Sequence, residues 1–515
     1  MIKTIKNWIE ILLTVFSMII IRNLLEMLLK RPGSWSITTF NDWIGWWFHF
    51  PLFYLALWIS GALGFSMLLR ITFQKSARIA AVFLLLILIG PIVDLFFNMG
   101  SIPYLYVKDP HDAYVVLINL LNPFQNLFSF GIPYGPRVEM FLTILFLPFA
   151  IWKFSQESKI KRLFSIVSGI LFVYLGIYFL CCWPALLKTI ILHSELSLSF
   201  TDSIYAEVYL LVIIIVLIIS FFRSSLELKS KIGFFLRPYR LGHYFLLVLA
   251  GFWLSFDMDS LFIKKESFYL FCFILDFLVG IAAFFLVFIA TTIANDYTDQ
   301  REDQINRINF FEENPENKTG SLLLCTLLFV LSLLLSFSVS SGIFSVVLLW
   351  SALSFVYSFP PLRLKRYLFL SNFILAAAAS LAVLYGAMIA GNPSPIVTMR
   401  TSYFILIFLI TFLGSFIKDI PDTRGDSVSK VITIPVLFDP GKFKGFYLIF
   451  IVACYFITFL LTVRISYGAY FLFVPTIISS FSILKKPYEN RLLYISYFIS
   501  IIIVSGCFKS SLGSF

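Results

Sequence analysis

Runs of roughly 20 apolar residues recur from one end of this 515-residue chain to the other, each long enough to cross a hydrocarbon core as a helix. A backbone in lipid must satisfy its own polar groups, which leaves helices and closed barrels as the only spanning structures. The weak alternating pattern of a membrane β-barrel is absent, so the chain reads as an all-α, polytopic helical membrane protein. The runs fall into two groups. About six lie at 7–29, 44–70, 77–98, 137–154, 163–187 and 203–222. About nine lie at 242–258, 268–294, 321–339, 342–358, 371–391, 401–417, 444–463, 468–484 and 491–508. The basic, polar stretch RSSLELKSKIGFFLRPYR, Arg223 to Arg240, separates them. Residues 1–235 are therefore expected to form a multi-pass membrane domain and residues 236–515 a second, nine-helix bundle.

Only 13% of the residues are charged and 60% are hydrophobic, against about 25% charged in soluble domains. The net charge of +11 does not point to nucleic acid, because the Lys and Arg sit mostly in short loops. In the second group one side collects Arg237, Arg240, Arg301, Arg307, Arg363, Lys365, Arg366, Lys418, Arg424 and the lysines near 442–444 and 485–486. The opposite side has few, so the first is expected to be cytoplasmic. Lys3, Lys6, Arg70, Lys75, Arg78, Lys159, Lys161 and Arg162 give the same orientation for the first group. The N-terminal run has a basic tip like a signal peptide, but no small-residue cleavage site follows, and it reads as a retained helix. The six cysteines have no zinc spacing or disulfide framework, and the four histidines are scattered.

Against this apolar background, acids are conspicuous in two places. Asn295, Asp296, Asp299 and Asp303 follow the second helix of the C-terminal group, in ANDYTDQRED. Asp419, Asp422 and Asp426 follow the sixth, in IKDIPDTRGD. In a helix, steps of three and four place Asn295, Asp299 and Asp303 on one face, and Asp419, Asp422 and Asp426 on another. Both motifs follow even-numbered helices, so both belong to the same side of the membrane. Two facing carboxylate ladders repel unless a cation lies between them, and an all-oxygen ligand set suits Mg²⁺ bridging to phosphate. Asp299, Asp303, Asp419 and Asp422 are the expected catalytic core of such a clamp. Between the motifs YSFPPLRLKR places Tyr357, Arg363, Lys365 and Arg366 on the same side, suited to phosphate oxygens that a metal leaves free. Apart from this echo no repeat is visible.

The asparagine–aspartate motif, the second aspartate motif four helices later, the YS-PP-LRLKR loop and the nine helices resemble the UbiA superfamily of intramembrane prenyltransferases. LRPYR before the first helix and VITIPVLF after the second motif are similar too, so the likeness runs from about Arg237 to the C-terminus. It implies a lateral cavity holding the tail of a polyprenyl diphosphate. Asn295, Asp299, Asp303, Asp419, Asp422 and Asp426, with Asp296, would hold the Mg²⁺–diphosphate. It also implies diphosphate contacts from Tyr357, Lys365 and Arg366, with Arg307, Arg363, Lys418 and Arg424 as further partners. A hydrophobic or aromatic acceptor would then attack the allylic cation. The acidic stretch INFFEENPENKTG after the first motif departs from the basic, proline-containing segment expected there.

Two other fates of this machinery stay open, a cyclase-like use of the allylic cation and an ion or lipid transporter. Transport acids belong near mid-membrane at broken helices, whereas these sit at one face. Residues 1–235 resemble no family. There the segment Pro103 to Met140 is aromatic and turn-rich and is expected on the outer side. Arg137 and Glu139 read as a helix-end charge pair or an external headgroup site, and Asp94 and Glu207 lie within apolar runs.

Overall fold

The structure, a computed structural model, describes residues 2–29, 48–97, 107, 109–119, 134–155, 158–189, 202–223, 237–256, 267–299, 315–391, 401–418, 420, 423–428, 431–439, 441–484 and 490–512. Each apolar run is helical. The first group gives α1 (Ile2–Leu29), α2 (Phe50–Leu69), α3 (Phe73–Phe96, with a 3₁₀ turn at Leu85–Leu88), the short α4 (Pro110–Asn119), α5 (Tyr134–Phe154), α6 (Lys159–Leu187) and α7 (Asp202–Phe222). The second gives α8 (Pro238–Ser255), α9 (Ser267–Thr298), α10 (Pro315–Val339), α11 (Ser341–Ser358), α12 (Leu368–Ile389) and α13 (Thr401–Lys418). It continues with the short α14 (Thr423–Val428) and α15 (Ile434–Leu437), α16 (Lys444–Val463), α17 (Tyr467–Leu484, its first turns 3₁₀) and α18 (Asn490–Leu512). Among the described residues ten helices are long and apolar enough to cross a membrane, so the chain is an integral multi-pass membrane protein. The structure divides into two compact units, Met1–Ser225 with Lys264–Leu275, and Leu226–Ile263 with Asp276–Phe515.

Lipid offers helices no hydrophobic drive to associate, so close packing through small residues takes that role. In the second unit α8 and α12 pack antiparallel at such a contact. A side chain at Gly251 would strike the Val383 carbonyl, and one at Gly386 would strike the Val248 carbonyl. Around this crossing Leu247, Val248, Ala379, Ala382 and Val383 are fully buried, and the Tyr385 hydroxyl donates 2.6 Å to the Gly280 carbonyl of α9. The tight α10–α11 corner is set by Ser340, whose hydroxyl accepts 3.1 Å from the Ile343 N–H.

The first unit holds a sequence echo that inspection of the chain did not reveal. GPIVD in α3, Gly90 to Asp94, and GPRVE at the start of α5, Gly135 to Glu139, face each other antiparallel. Glu139 lies where a Gly90 side chain would be, Asp94 lies where a Gly135 side chain would be, and the Gly135 N–H donates 2.6 Å to Asp94 Oδ1. Arg137 and Glu139 are thus not exposed helix-end charges, since they are 1% and 8% exposed. The Arg137 guanidinium sits over the Tyr134 ring at 4.5 Å, and Arg22 and Glu26 of α1, paired one turn apart, are buried as well. Half of the expected outer segment lies outside the described residues.

Gly386→Ala forces the α8 and α12 backbones apart and is expected to cost about 1–3 kcal/mol, the usual penalty of overpacking. A Gly176 side chain meets nothing within 4 Å, so Gly176→Ala is expected to leave stability unchanged or raise it slightly. Thermal unfolding of the two variants in detergent separates them.

Candidate active site

The first acidic motif sits where α9 stops. The Asp299 N–H donates 3.0 Å to the Asn295 carbonyl, closing the last turn. Asn295 and Asp299, four residues apart, therefore share a face, and both line a cavity of about 620 Å³ within the second unit. Asp296, one residue on, is turned away from that face. It is 2% exposed and absent from the cavity wall, and its Oδ1 is paired with Arg237. Its place is that of a structural ion pair, whereas the sequence placed it with the metal ligands.

The loop after α11 supplies the counter-charge. The Arg363 N–H donates 2.9 Å back to the Phe359 carbonyl, and Arg363 itself takes a left-handed backbone with φ 40°. A non-glycine residue there is strained and persists where its surroundings hold it. Its guanidinium donates 3.2 Å to Asp299 Oδ1 and 3.1 Å to the Thr298 carbonyl. Lys365, 8% exposed, pairs with the same carboxylate oxygen, and the Thr298 hydroxyl donates to it at 3.3 Å. Lys365 and Tyr357 line the cavity. Arg366 is exposed, and its carbonyl accepts 3.2 Å from the Ile432 N–H, which ties this loop to the chain after the second motif.

Of the second motif, Asp426 in α14 reaches the same cavity. Asp426 lies in α14, Thr423–Val428, which follows α13 in the chain. Asp303, Arg307, Asp419 and Asp422 lie outside the described residues. Lys418 and Arg424 fall in helices, but only their backbone is described. Among the described residues no three His, Cys, Asp or Glu side chains converge to hold a metal. What converges is two carboxylates and an amide, Asn295, Asp299 and Asp426, on one cavity with Lys365 beside them.

The remaining walls carry groups that sequence reasoning passed over. Arg237, Arg240, His243 and Tyr244 line the cavity from α8, and Tyr494 and Tyr497 line it from α18. The signal was present in PYRLGHYF, where Arg240, His243 and Tyr244 recur at helical spacing. Hydroxyls form a chain across three helices: Tyr455 lies 3.1 Å from the Ser479 hydroxyl, which lies 2.5 Å from that of Ser496. Phe288 and Trp350 supply apolar surface.

The sequence profile of the UbiA prenyltransferase family matches residues 244–500. The C-terminal region belongs to that family. The matched region includes both acidic motifs and the loop between them, and it begins one residue after His243. Similar relatives are the digeranylgeranylglyceryl phosphate synthases of Methanosphaera stadtmanae, 30% identical over 162 residues, and of Thermococcus gammatolerans, 28% identical over 158. Each match covers 30% of this chain, and the chain spans only about half the length of these relatives, 56% and 52%. A solved UbiA homologue from Archaeoglobus fulgidus, bound to DMAPP and Mg²⁺, is 18% identical with a TM-score of 0.40, covering 55% of this chain and 99% of its own.

Within this UbiA region the roles of Asp296 and Asp299 are separable. Arg237→Met strands a buried carboxylate and is expected to cost about 3–5 kcal/mol. Combining it with Asp296→Leu is expected to restore most of that stability, because the pair is removed together. Denaturant titration of the single and double variants measures both.

Proposed function

We propose that residues 236–515 form a prenyltransferase domain that moves a prenyl group from a polyprenyl diphosphate to a hydroxyl of a glyceryl phosphate lipid inside the membrane. One observation carries the reading: Asn295, Asp299, Asp426 and Lys365 line one cavity whose other walls carry aromatic, aliphatic and hydroxyl groups together with Arg237, Arg240 and His243. The acceptor class follows the product in the relatives' name and suits the many hydroxyls of the wall. Membership of the UbiA family supports the reaction type.

The donor set fits Mg²⁺, since every group offered at that end is an amide or carboxylate oxygen. Asn295, Asp299 and Asp426 would hold it, together with Asp303, Asp419 and Asp422. When bound, Mg²⁺ neutralises the diphosphate and so makes it a better leaving group. Lys365 and Arg363 already meet the Asp299 charge and are placed to exchange toward phosphate oxygens as a diphosphate arrives. As the carbon–oxygen bond breaks, its electron pair leaves with the diphosphate, where these cations stabilise the growing charge. Phe288, Trp350 and Tyr244 keep water from the allylic carbon and present ring faces to its positive charge. The basic loops assign this end of the cavity to the cytoplasmic side. Residues 1–235 would serve as a fused membrane partner of the transferase. An ion or lipid carrier is disfavoured, because these acids gather at helix ends rather than at mid-membrane breaks.

Membranes containing the protein, given labelled polyprenyl diphosphate, Mg²⁺ and lipid extract, are expected to yield a prenylated lipid identifiable by mass. Asp299→Ala and Asp422→Ala should each lower turnover by at least about 10²-fold, and EDTA should abolish it. Activity that survives both substitutions or the chelator refutes the mechanism.

A further inference from the structure

We propose that His243 is the base that takes the proton from the acceptor's hydroxyl, which makes it a catalytic residue of the cavity wall. The inference rests on the transferase reading and adds to it a role that the acidic motifs do not supply.

Joining a prenyl carbon to an alcohol leaves a proton to place. The bond from carbon to the diphosphate oxygen breaks and its electrons go to the diphosphate. A lone pair of the acceptor oxygen forms the new carbon–oxygen bond, and the O–H proton must then leave. An alcohol does not shed it unaided near neutral pH, so a positioned base contributes, typically 10²–10⁴-fold. Asp299 is poorly suited, because its Oδ1 is already met by Lys365, Arg363 and the Thr298 hydroxyl. Asp426 stands at the same diphosphate end of the cavity. Helices α8, α12, α13, α16, α17 and α18, which also line the cavity, contain no Asp or Glu at all. His243 is the one histidine in the second unit and it lines the cavity.

Its depth is right. α8 starts beside Arg237, which is tied to Asp296, and His243 lies about 9 Å further along the axis at 1.5 Å per residue. The next residue, Tyr244, meets the Phe288 ring of α9 at 6.0 Å, and Phe288 precedes Asn295 by about two helical turns. With the phosphates at Asn295 and Asp299, the carbon that bears them points toward this level. The imidazole is held in place between rings. It stacks on Tyr244 at 4.7 Å and 2°, and packs on Tyr497 at 4.5 Å and 56°. Tyr497 is fixed in turn through its hydroxyl, 2.5 Å from that of Thr411. The titratable groups that these helices give to the cavity wall are Tyr239, Arg240 and Tyr244 on α8, Tyr494 and Tyr497 on α18, and Cys454 and Tyr455 on α16. On the helices packed against α8, Tyr385 of α12 is buried in the core, and Lys509 of α18 bonds to the Leu254 and Phe256 carbonyls at the far end of α8. None of these groups is a carboxylate or an imidazole. The proton taken by His243 returns to the departing diphosphate or to water as product leaves.

The full-length protein is compared with His243→Gln and His243→Ala, using labelled polyprenyl diphosphate and a glyceryl phosphate lipid acceptor. Both variants are expected to lose about 10²–10³-fold in kcat with little change in KM for the prenyl diphosphate. The acidic limb of the native kcat/KM profile should vanish in both, and added imidazole should restore part of the rate to His243→Ala. Metal-dependent release of diphosphate to water in the absence of acceptor should persist, which shows that the variants are folded and still bind the donor. Rates within about threefold of native with the acidic limb intact overturn the role of His243 and leave the transferase standing. Loss of the acceptor-free diphosphate release as well would make His243 a structural residue and likewise overturn it. Absence of prenylated product from the native protein overturns the transferase reading and this one with it.

Discussion

The site depends on one carboxylate oxygen, Oδ1 of Asp299, on which a lysine, an arginine and a hydroxyl converge. A carboxylate at the edge of an apolar cavity is unfavourable unless something neutralises it. Here the neutralising groups come from the loop that follows α11, whereas Asp299 ends α9. The contact therefore does two things at once. It gives the acid cationic partners on a cavity wall, and it ties down the loop whose Lys365 also lines the cavity. The left-handed Arg363 backbone is the local cost of that path. Arg237, which holds Asp296, is left-handed too, with φ 39°. Both arginines beside the first motif are strained at the residue that makes the ion pair, which favours a pre-organised site over a flexible one.

The helices were legible because length and hydropathy decide them: each apolar run became a helix with ends shifted by a few residues. Spacing put Asn295 and Asp299 on one face of α9, and both line the cavity, whereas Asp296, grouped with them as a metal ligand, does not. Three things were not legible. A partner distant in sequence, such as Arg237 for Asp296, cannot be found from periodicity. That Asp426 lines the cavity does not follow from spacing alone. The importance of His243 comes from what surrounds it, namely six helices without a carboxylate, and a lone histidine does not announce that. GPIVD and GPRVE were visible as strings, yet two five-residue strings that differ at Ile92 against Arg137 and Asp94 against Glu139 mean little until their helices are seen to cross.

The hydroxyl-rich walls and the carboxylate end divide the chamber by chemistry. One end answers to dense negative charge and the metal that accompanies it. The other answers to neutral oxygen, with Tyr455, Ser479 and Ser496 bonded to one another. Such a chain of hydroxyls can exchange internal bonds for bonds to a ligand at small net cost, because each group both donates and accepts. A charged clamp beside an adaptable neutral wall gives tight selection for the donor and looser selection for whatever shares its chamber.

The crossing of α3 and α5 has a different kind of consequence. Each glycine there exists to admit the other helix's acid, and each acid fills the space the opposite glycine vacates. These four positions form two locks that share one axis. A drift at Gly90 meets the Glu139 carboxylate, and a drift at Gly135 meets both Asp94 and the Gly90 carbonyl. Across descendants of this chain the four should be inherited as a block, and a lineage that loses one should be found to have remodelled the whole joint.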